Sequence, residues 1–181
     1  MAGLAVATAL VGGCSSKHEA NHALPSASET SASPSLEPLG PADLPMPAEA
    51  REETADGFNA FAHYYIDLIN RLETDLDSTY LRQFSRGCAT CDRLASDAEG
   101  DATKGYSYEG GTITITALAA AHMTAQGAET AFTVDQAAYS VLDSSGTPVQ
   151  GLNGEAAADL PGGMAGVWAY NHWVVTNLTF G

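Results

Sequence analysis

The chain has 181 residues, enough for one domain with accessory segments, and its 22 acidic and 7 basic residues give a net charge of −15. All seven basic residues lie at or before Lys104. A nucleic-acid-binding surface needs clustered cations, and so does a polybasic patch on anionic lipid, so this composition argues against both. We therefore expect no nucleic-acid partner.

The first 13 residues are small and apolar, and they are too few to span a bilayer. Cys14 follows directly, and the sequence Val11-Gly12-Gly13-Cys14 resembles the lipobox that ends a bacterial lipoprotein signal peptide. That resemblance implies that residues 1–13 are a signal peptide, that cleavage precedes Cys14, and that Cys14 carries a lipid anchor on the extracytoplasmic face of the cell membrane. The basic opening segment usual in such signals is missing, so the alternative is an ordinary apolar N-terminus with a free cysteine.

Residues 14–45 are rich in Ser, Ala, Pro and Glu and contain almost no large apolar residue. A segment of this composition cannot form a core, which predicts a disordered tether between the lipidated Cys14 and the rest of the chain. The folded domain is therefore expected over residues 46–181.

Residues 47–72 predict one long helix at the start of that domain. Pro47 suits a first helical turn because its missing N–H has no intrahelical partner there. The large apolar residues recur at helical spacing and fall on one side: Phe58, Phe61, Tyr65, Leu68, Ile69 and Leu72. The apolar arc covers about half of the circumference, so more than one neighbour must cover it, and a bent sheet is the simplest cover.

Two short helices are expected next, over residues 78–85 and 92–98, and the glycines of 100–105 should end the second. From Tyr106 the apolar period changes to two, which predicts strands. The expected strands are 112–123, 128–142, 147–152, 155–160, 164–170 and 173–180, with the last two joined by a turn at Asn171-His172. Helices followed by a run of strands predict an α+β domain: a long helix and two short helices packed on a strongly curved antiparallel sheet, a cone-like α+β barrel.

The order of these elements resembles the nuclear transport factor two-like, or SnoaL-like, fold. Residues 46–181 resemble more closely an uncharacterised family of actinobacterial lipoproteins with a domain of unknown function. The motifs that carry the resemblance are Leu44-Pro45-Met46-Pro47, Ala62-His63-Tyr64-Tyr65, Gly87-Cys88-Ala89-Thr90-Cys91, Tyr108-Glu109-Gly110-Gly111 and Trp173-Val174-Val175. The resemblance implies the fold and the cell envelope but no known activity, and analogy with the fold suggests a homodimer through the exposed sheet face.

Cys88 and Cys91 admit three interpretations. Export would place them in an oxidising compartment, which favours a structural disulfide between the two short helices. A C-x-x-C pair before a helix can also be redox-active, although no βαβ unit precedes it here. Half of a zinc site is the third interpretation, and it lacks two further ligands at suitable spacing.

The sequence contains no nucleophile elbow, phosphate-binding glycine loop or carboxylate cluster for a metal, so we expect no cofactor, no metal site and no named catalytic residue. His63 and Asp67 are four residues apart on the polar side of the helix and should be a solvated pair. The candidates for lining a pocket are Tyr65, Ile69, His122, Trp168 and Trp173. For the two tryptophans, packing in the core is the competing role.

These patterns favour a non-catalytic domain that binds a small molecule or a protein partner at the cell envelope. The alternative is a SnoaL-type enzyme that performs acid–base chemistry on a small apolar substrate, and a pocket with two or more buried ionisable groups would favour it. A thiol–disulfide protein is a third hypothesis.

Overall fold

The computed structural model describes residues 38–181, in which three α-helices pack on antiparallel strands. This confirms the predicted α+β class. The predicted signal peptide, Cys14 and the tether as far as residue 37 lie outside the described residues. After a 3₁₀ turn at Glu49–Arg51, the elements are α1 (Ala55–Asp75), α2 (Thr79–Gln83), α3 (Ala89–Lys104), β1 (Ser107–Gly110), β2 (Ile113–Leu118), β3 (His122–Met123), β4 (Ala128–Gln136), β5 (Tyr139–Leu142), β6 (Ala157–Ala169) and β7 (His172–Phe180).

Helix α1 begins at Ala55 and not at Pro47 as the sequence predicted. Its N-cap is Thr54, whose side chain accepts a hydrogen bond from the backbone N–H of Gly57 at 2.9 Å. The preceding Glu52 is extended, and its carbonyl accepts a hydrogen bond from the indole N–H of Trp173 at 2.9 Å. That carbonyl thus bonds a residue of β7 and not an N–H of a helix, so the 3₁₀ turn and α1 are separate elements.

The apolar face of α1 forms the centre of the core, as the spacing predicted. Phe58, Phe61 and Tyr65 are fully buried. Trp173 of β7 packs edge-on against Phe58 with ring centroids 4.9 Å apart. Burial of one such side chain contributes roughly 1.5–3 kcal/mol, so this aromatic cluster is a main source of the domain's stability.

The strands form two sheets and not one. The larger sheet has the order β2-β4-β6-β7, with β3 also paired to β4, and the smaller sheet consists of β1 and β5. The predicted single strand 128–142 is therefore wrong: β4 ends at Gln136, and β5 leaves to pair with β1. No strand spans 147–152, where only Pro148 forms an isolated bridge with Leu142.

The larger sheet is open, so the predicted cone-like barrel is wrong. Strands β2 and β7 lie at opposite ends of the sheet order and do not pair. The free edge of β7 is instead covered by the segment between α2 and α3. Val175 donates its backbone N–H to the carbonyl of Phe84 at 2.8 Å, and its carbonyl accepts from the N–H of Arg86 at 2.9 Å. This pairing satisfies the strand edge that a barrel would have closed.

The hairpin of β6 and β7 also differs from the prediction. Strand β6 continues through Pro161, Gly162 and Gly163, which were expected to break it. The turn lies at Tyr170 and Asn171, both with positive φ (54° and 61°), as a two-residue hairpin requires. His172 therefore begins β7 and is buried against Phe84, with ring centroids 5.3 Å apart.

A β-bulge at Thr176 changes the alternation of β7. Ala165 pairs with Asn177 and Gly166 pairs with Val175, so Thr176 is the extra residue. Strict alternation predicts Leu178 on the face opposite Trp173 and Val175. The bulge instead returns Leu178 to the core that contains both of those residues.

Helix α3 is longer than predicted. It runs from Ala89 to Lys104, because Gly100 stays helical and the left-handed Gly105 (φ 71°) ends the helix. The third helix is thus not short, and its last turn reaches the strands.

Residues 39–45, which the sequence assigned to the tether, pack on the domain. The backbone N–H of Met46 bonds the carbonyl of Leu39 at 2.7 Å, and Leu39 and Leu44 contact the core. Asp43 forms an ion pair with Arg71 of α1 at 3.1 Å.

Two adjacent glycines of β6 provide a test of this packing. A β-carbon at Gly162 would overlap the ring of Phe132 and lie 2.8 Å from the carbonyl oxygen of Thr179, whereas at Gly163 the nearest atoms are 3.5 Å away. We expect Gly162→Ala to lower the free energy of unfolding by about 1–3 kcal/mol through overpacking. Gly163→Ala should leave it unchanged or raise it by about 0.5 kcal/mol. Urea unfolding of both variants measures this, and equal effects at the two positions would contradict the described register.

Candidate functional site

A cavity of ≈ 670 Å³ lies between α1, α3 and the strands. Its floor is apolar. The residues of the floor are Ile69 and Leu72 of α1, Ala98 of α3, Ile113, Val134, Val141, Leu160 and Phe180. Most of them belong to the core or pack against it, so the cavity continues the hydrophobic interior towards solvent.

The rim of the cavity is polar and is formed mainly by α3. Arg93 pairs with Asp97 at 3.5 Å, and Lys104 pairs with Asp101 at 2.8 Å. Each cation of the rim is thus matched by an aspartate of its own helix. Gly100 lies between these pairs at the rim, and a β-carbon there would contact nothing within 4 Å, so a larger side chain has room at this position.

Asp101 connects α3 to the small sheet. Its Oδ2 accepts a hydrogen bond from the hydroxyl of Tyr108 at 2.5 Å, while Oδ1 faces Lys104. Burial opposes the charge of Asp101, but the hydrogen bonds from Lys104 and Tyr108 outweigh that effect and hold the pKa of the carboxyl below its usual value. Burial, followed by the neighbouring Asp101, raises the pKa of Tyr108.

Glu73 is a carboxylate of a different kind. It lies near the end of α1 and lines the cavity, and it forms no hydrogen bond or ion pair with any other residue of 38–181. Burial alone raises the pKa of Glu73 to about 7. Near neutral pH this carboxyl is therefore divided between its protonated and ionised forms.

Two tyrosines line the wall of the cavity near Glu73. Tyr108 of β1 and Tyr139 of β5 stack with ring centroids 6.3 Å apart. The register pairs Tyr108 with Val141 and Gly110 with Tyr139, so the two tyrosines are diagonal neighbours on one face of the small sheet.

Two glycines make room for these groups. A β-carbon at Gly111, where φ is 82°, would lie 2.8 Å from Oε2 of Glu73 and 3.3 Å from Cβ of Tyr139. A β-carbon at Gly154 would overlap the ring of Tyr139. Any larger residue at either position would displace the carboxyl or the ring.

Of the five residues that the sequence suggested for a pocket, Ile69 is the one found in the lining of this cavity. Tyr65 is buried, with its hydroxyl donating to the carbonyl of Leu81 at 3.3 Å. Trp168 and Trp173 pack against each other at 5.2 Å on the side of Phe58, and His122 is exposed beside Glu129. His63 and Asp67 are exposed on α1, as a solvated pair should be.

Cys88 and Cys91 form a disulfide, and both residues are only 1% exposed. Cys88 is the N-cap of α3, and its sulfur lies 3.2 Å from the backbone N–H of Cys91. The bridge therefore fixes the first turn of the helix that carries the rim of the cavity. Residues 38–181 contain no group of three or more metal-ligating side chains, and no helix among them is both long and apolar enough to cross a bilayer.

The sequence analysis missed Glu73, Tyr108 and Tyr139. Glu73 seemed to belong to a turn, because the helix was expected to end at Leu72, whereas α1 continues to Asp75. Tyr108 stood in a recognised motif, but its closeness to Tyr139 depends on the pairing of β1 with β5. Once that pairing is known, tyrosines of two neighbouring strands are expected to meet.

A comparison with solved structures supports the fold. The crystal structure of the intermembrane space region of the chloroplast protein ARC6 superposes with a TM-score of 0.53 at 12% sequence identity, covering 71% of this chain and 97% of that chain. At this identity the likeness shows the fold alone. A second chain, Rd1NTF2_05 with five substitutions, gives a TM-score of 0.40 at 14% identity and covers 68% of this chain and 99% of its own, and we draw nothing from it.

These observations define the class: an α+β domain with a cavity that combines an apolar floor, a carboxyl group and two stacked tyrosines. Residues 43–179 match the family of unknown function DUF6318, and the chain belongs to that family. A comparison with curated proteins finds no match.

The raised pKa of Glu73 gives a testable pH dependence of stability. The unfolded chain ionises this carboxyl near 4.5 and the folded chain near 7, so its contribution to stability is fully present below about pH 4.5 and is lost as the pH rises to about 7. We expect Glu73→Gln to raise the free energy of unfolding at pH 8, relative to its effect at pH 4.5, by about 1–2 kcal/mol after allowance for solvent screening.

Urea unfolding at both pH values measures this difference. Glu155→Gln is the matched control, because it removes the same charge from an exposed residue between β5 and β6. A Glu73→Gln effect that is the same at pH 4.5 and pH 8 would show that the folded protein does not shift this carboxyl.

Proposed function

We propose that this domain binds a small molecule with an apolar body in the cavity between α1, α3 and the strands, without catalysing its conversion. The observation that carries the proposal is the cavity itself. Its volume of ≈ 670 Å³ lies within the range of about 300–1,000 Å³ found for ligand sites. Ligand sites combine apolar surface with placed polar groups, and this cavity has an apolar floor and a polar rim.

Packing supports the same conclusion. Protein interiors leave few voids larger than a water molecule, because unfilled apolar space forfeits dispersion contacts. In this domain the half of α1 around Phe58 and Phe61 is tightly covered by aromatic rings, whereas the half around Ile69 and Leu72 faces the cavity. Ile69 and Leu72 are themselves buried, so a bound apolar body would add contacts above them.

We further propose that the domain works at the cell envelope, anchored through a lipid on Cys14 to the outer face of the membrane. The lipobox-like sequence Val11–Cys14 and the tether composition of residues 15–37 support this location. The disulfide between Cys88 and Cys91 is consistent with export, because such bridges persist in oxidising compartments. We also propose that the chain comes from an actinobacterial family of lipoproteins.

An acid–base enzyme is the second candidate, and the pKa of Glu73 near 7 is the observation that favours it. Catalysis of this kind needs a second group placed to act on the same substrate. Asp101 also lines the cavity, but Lys104 and Tyr108 already hold both of its oxygens. If the wild-type protein converts a small apolar substrate and Glu73→Gln does not, this alternative is established.

Blocking the cavity tests the binding proposal. Gly100→Trp should place an indole at the rim of the cavity. We expect this variant to lower the affinity for the neutral fluorescent probe N-phenyl-1-naphthylamine by about tenfold or more. The loss of an apolar contact worth about 1.4 kcal/mol corresponds to a factor of ten in affinity. Fluorescence titration of the full-length protein measures the affinity.

Ala102→Trp is the control for that experiment, since Ala102 is exposed on α3 and does not line the cavity. Both variants should keep the thermal midpoint of the wild type. Equal binding of the probe by wild type, Gly100→Trp and Ala102→Trp would place the binding elsewhere and contradict the proposal.

Cys14→Ser tests the location. The wild-type chain should partition with membranes and carry the mass of a lipid, whereas the variant should be released to the medium or stay uncleaved, because no thiol is left to modify. Membrane fractionation and mass spectrometry measure both properties, with Ser15→Ala as the control. Unchanged partition and mass in Cys14→Ser would exclude the lipid anchor.

A further inference from the structure

The geometry points to a ligand class: we propose that the cavity binds an organic cation, with its ammonium group at the carboxylate of Glu73 and the rings of Tyr108 and Tyr139, and its apolar body on the floor. This inference rests on the proposed small-molecule function and specifies its chemistry. It uses three groups that the sequence did not single out.

The charges of the cavity are the first argument. Arg93 and Lys104 are each paired with an aspartate, whereas Glu73 has no partner among residues 38–181. A half-buried carboxylate without a partner is costly, and a ligand cation would compensate it. The lining thus carries one negative charge that no cation of the cavity balances, and this charge lies at Glu73.

The aromatic pair is the second argument. A cation over the face of a tyrosine ring is attracted by the ring quadrupole, and quaternary ammonium groups are recognised in this way. A β-carbon at Gly111 would lie 2.8 Å from Oε2 of Glu73 and 3.3 Å from Cβ of Tyr139, so the carboxylate and the side chain of Tyr139 are neighbours. The proposed ammonium group lies at that carboxylate, with Tyr139 beside it.

The donor set argues against a metal ion in the same place. Calcium takes six to eight oxygen ligands and magnesium keeps an octahedral shell, which a single carboxylate on an apolar floor cannot supply. Residues 38–181 contain no cluster of three metal-ligating side chains. An organic cation needs fewer polar contacts and gains from the apolar surface, so it fits this lining better.

Long-range attraction acts in the same direction. The chain carries a net charge of −15, and a field of this sign raises the local concentration of cations. This general effect would act at any surface of the protein, so the test must separate it from the specific contribution of Glu73.

Binding should also depend on pH. A ligand cation favours the ionised form of Glu73, so affinity should rise between about pH 5 and pH 8 as this carboxyl ionises. The other charged or titratable groups lining the cavity are Asp101, Lys104, Arg93 and Asp97 from α3, Tyr108 from β1 and Tyr139 from β5. The lining residues from β2, β4, β6 and β7 carry no charge.

The experiment compares three probes of equal chain length on the full-length protein at low ionic strength: hexyltrimethylammonium, hexanol and hexanoate. NMR titration gives each affinity. The cation should bind at least about tenfold more tightly than hexanol, which corresponds to one cation–π and charge contact, and hexanoate should bind most weakly.

Variants then locate the interaction. Glu73→Gln and Tyr139→Leu should each reduce the affinity for the cation about tenfold towards that of hexanol. The affinity for hexanol should stay the same in Glu73→Gln, because that variant preserves the shape of the site. Glu129→Gln removes the same net charge at an exposed position and should leave the affinity for the cation unchanged.

The outcomes separate this inference from the proposed function. Equal binding of hexanol and the cation would overturn the cationic ligand while leaving an apolar binding site in place. An equal loss of affinity in Glu129→Gln and Glu73→Gln would show general attraction only and would also overturn the inference. Failure of all three probes, together with N-phenyl-1-naphthylamine, would overturn the binding function itself.

Discussion

The hydrogen bond from the indole of Trp173 to the carbonyl of Glu52 fixes where α1 begins, and much of the domain follows from it. The bond joins the last strand to the residues before the first helix, and it places the indole edge-on against Phe58. One half of α1 is thereby sealed by aromatic rings. The other half packs against α3 and the strands, and the cavity lies beside Ile69 and Leu72, which are both buried. The candidate site is thus placed by the elements that cover the second half of α1.

The second structural requirement is that the wall of the cavity stays in place. The Cys88–Cys91 bridge fixes the first turn of α3, and Asp101 ties its last turn to Tyr108 of β1. Since Tyr108 stacks on Tyr139, the helix, the small sheet and the aromatic wall form one connected unit. A buried polar contact of this kind is costly to break, because each partner would be left unsatisfied. The same contact that supports the fold therefore also positions the residues of the site.

The periodicity of the sequence was sufficient to predict the α+β class and the core face of α1, because both depend on local spacing. It was insufficient wherever a distant partner decides the outcome. Pro47 favours a helix start, whereas α1 starts at Ala55 after the N-cap Thr54, and Trp173, more than a hundred residues away, binds the carbonyl of Glu52 just before it. Two of the residues suggested for a pocket, Tyr65 and Trp173, are packed in the core, because large apolar residues fill a core more often than they leave it open. The site residues found in the structure are instead polar or half-buried, and only the pairing of β1 with β5 brings the tyrosines together.

The isolation of the Glu73 carboxyl is the feature on which the proposal of a binding site, and not an active site, depends. A general acid or base is useful when a second group completes the proton transfer or stabilises the charge that develops. The neighbouring Asp101 cannot serve as that group without breaking its contacts with Lys104 and Tyr108. A carboxyl whose pKa is raised by burial alone is, in contrast, well suited to recognition, because a matching cation recovers the free energy that burial costs. This arrangement of charges is the reason why we propose a site that holds a ligand and does not transform it.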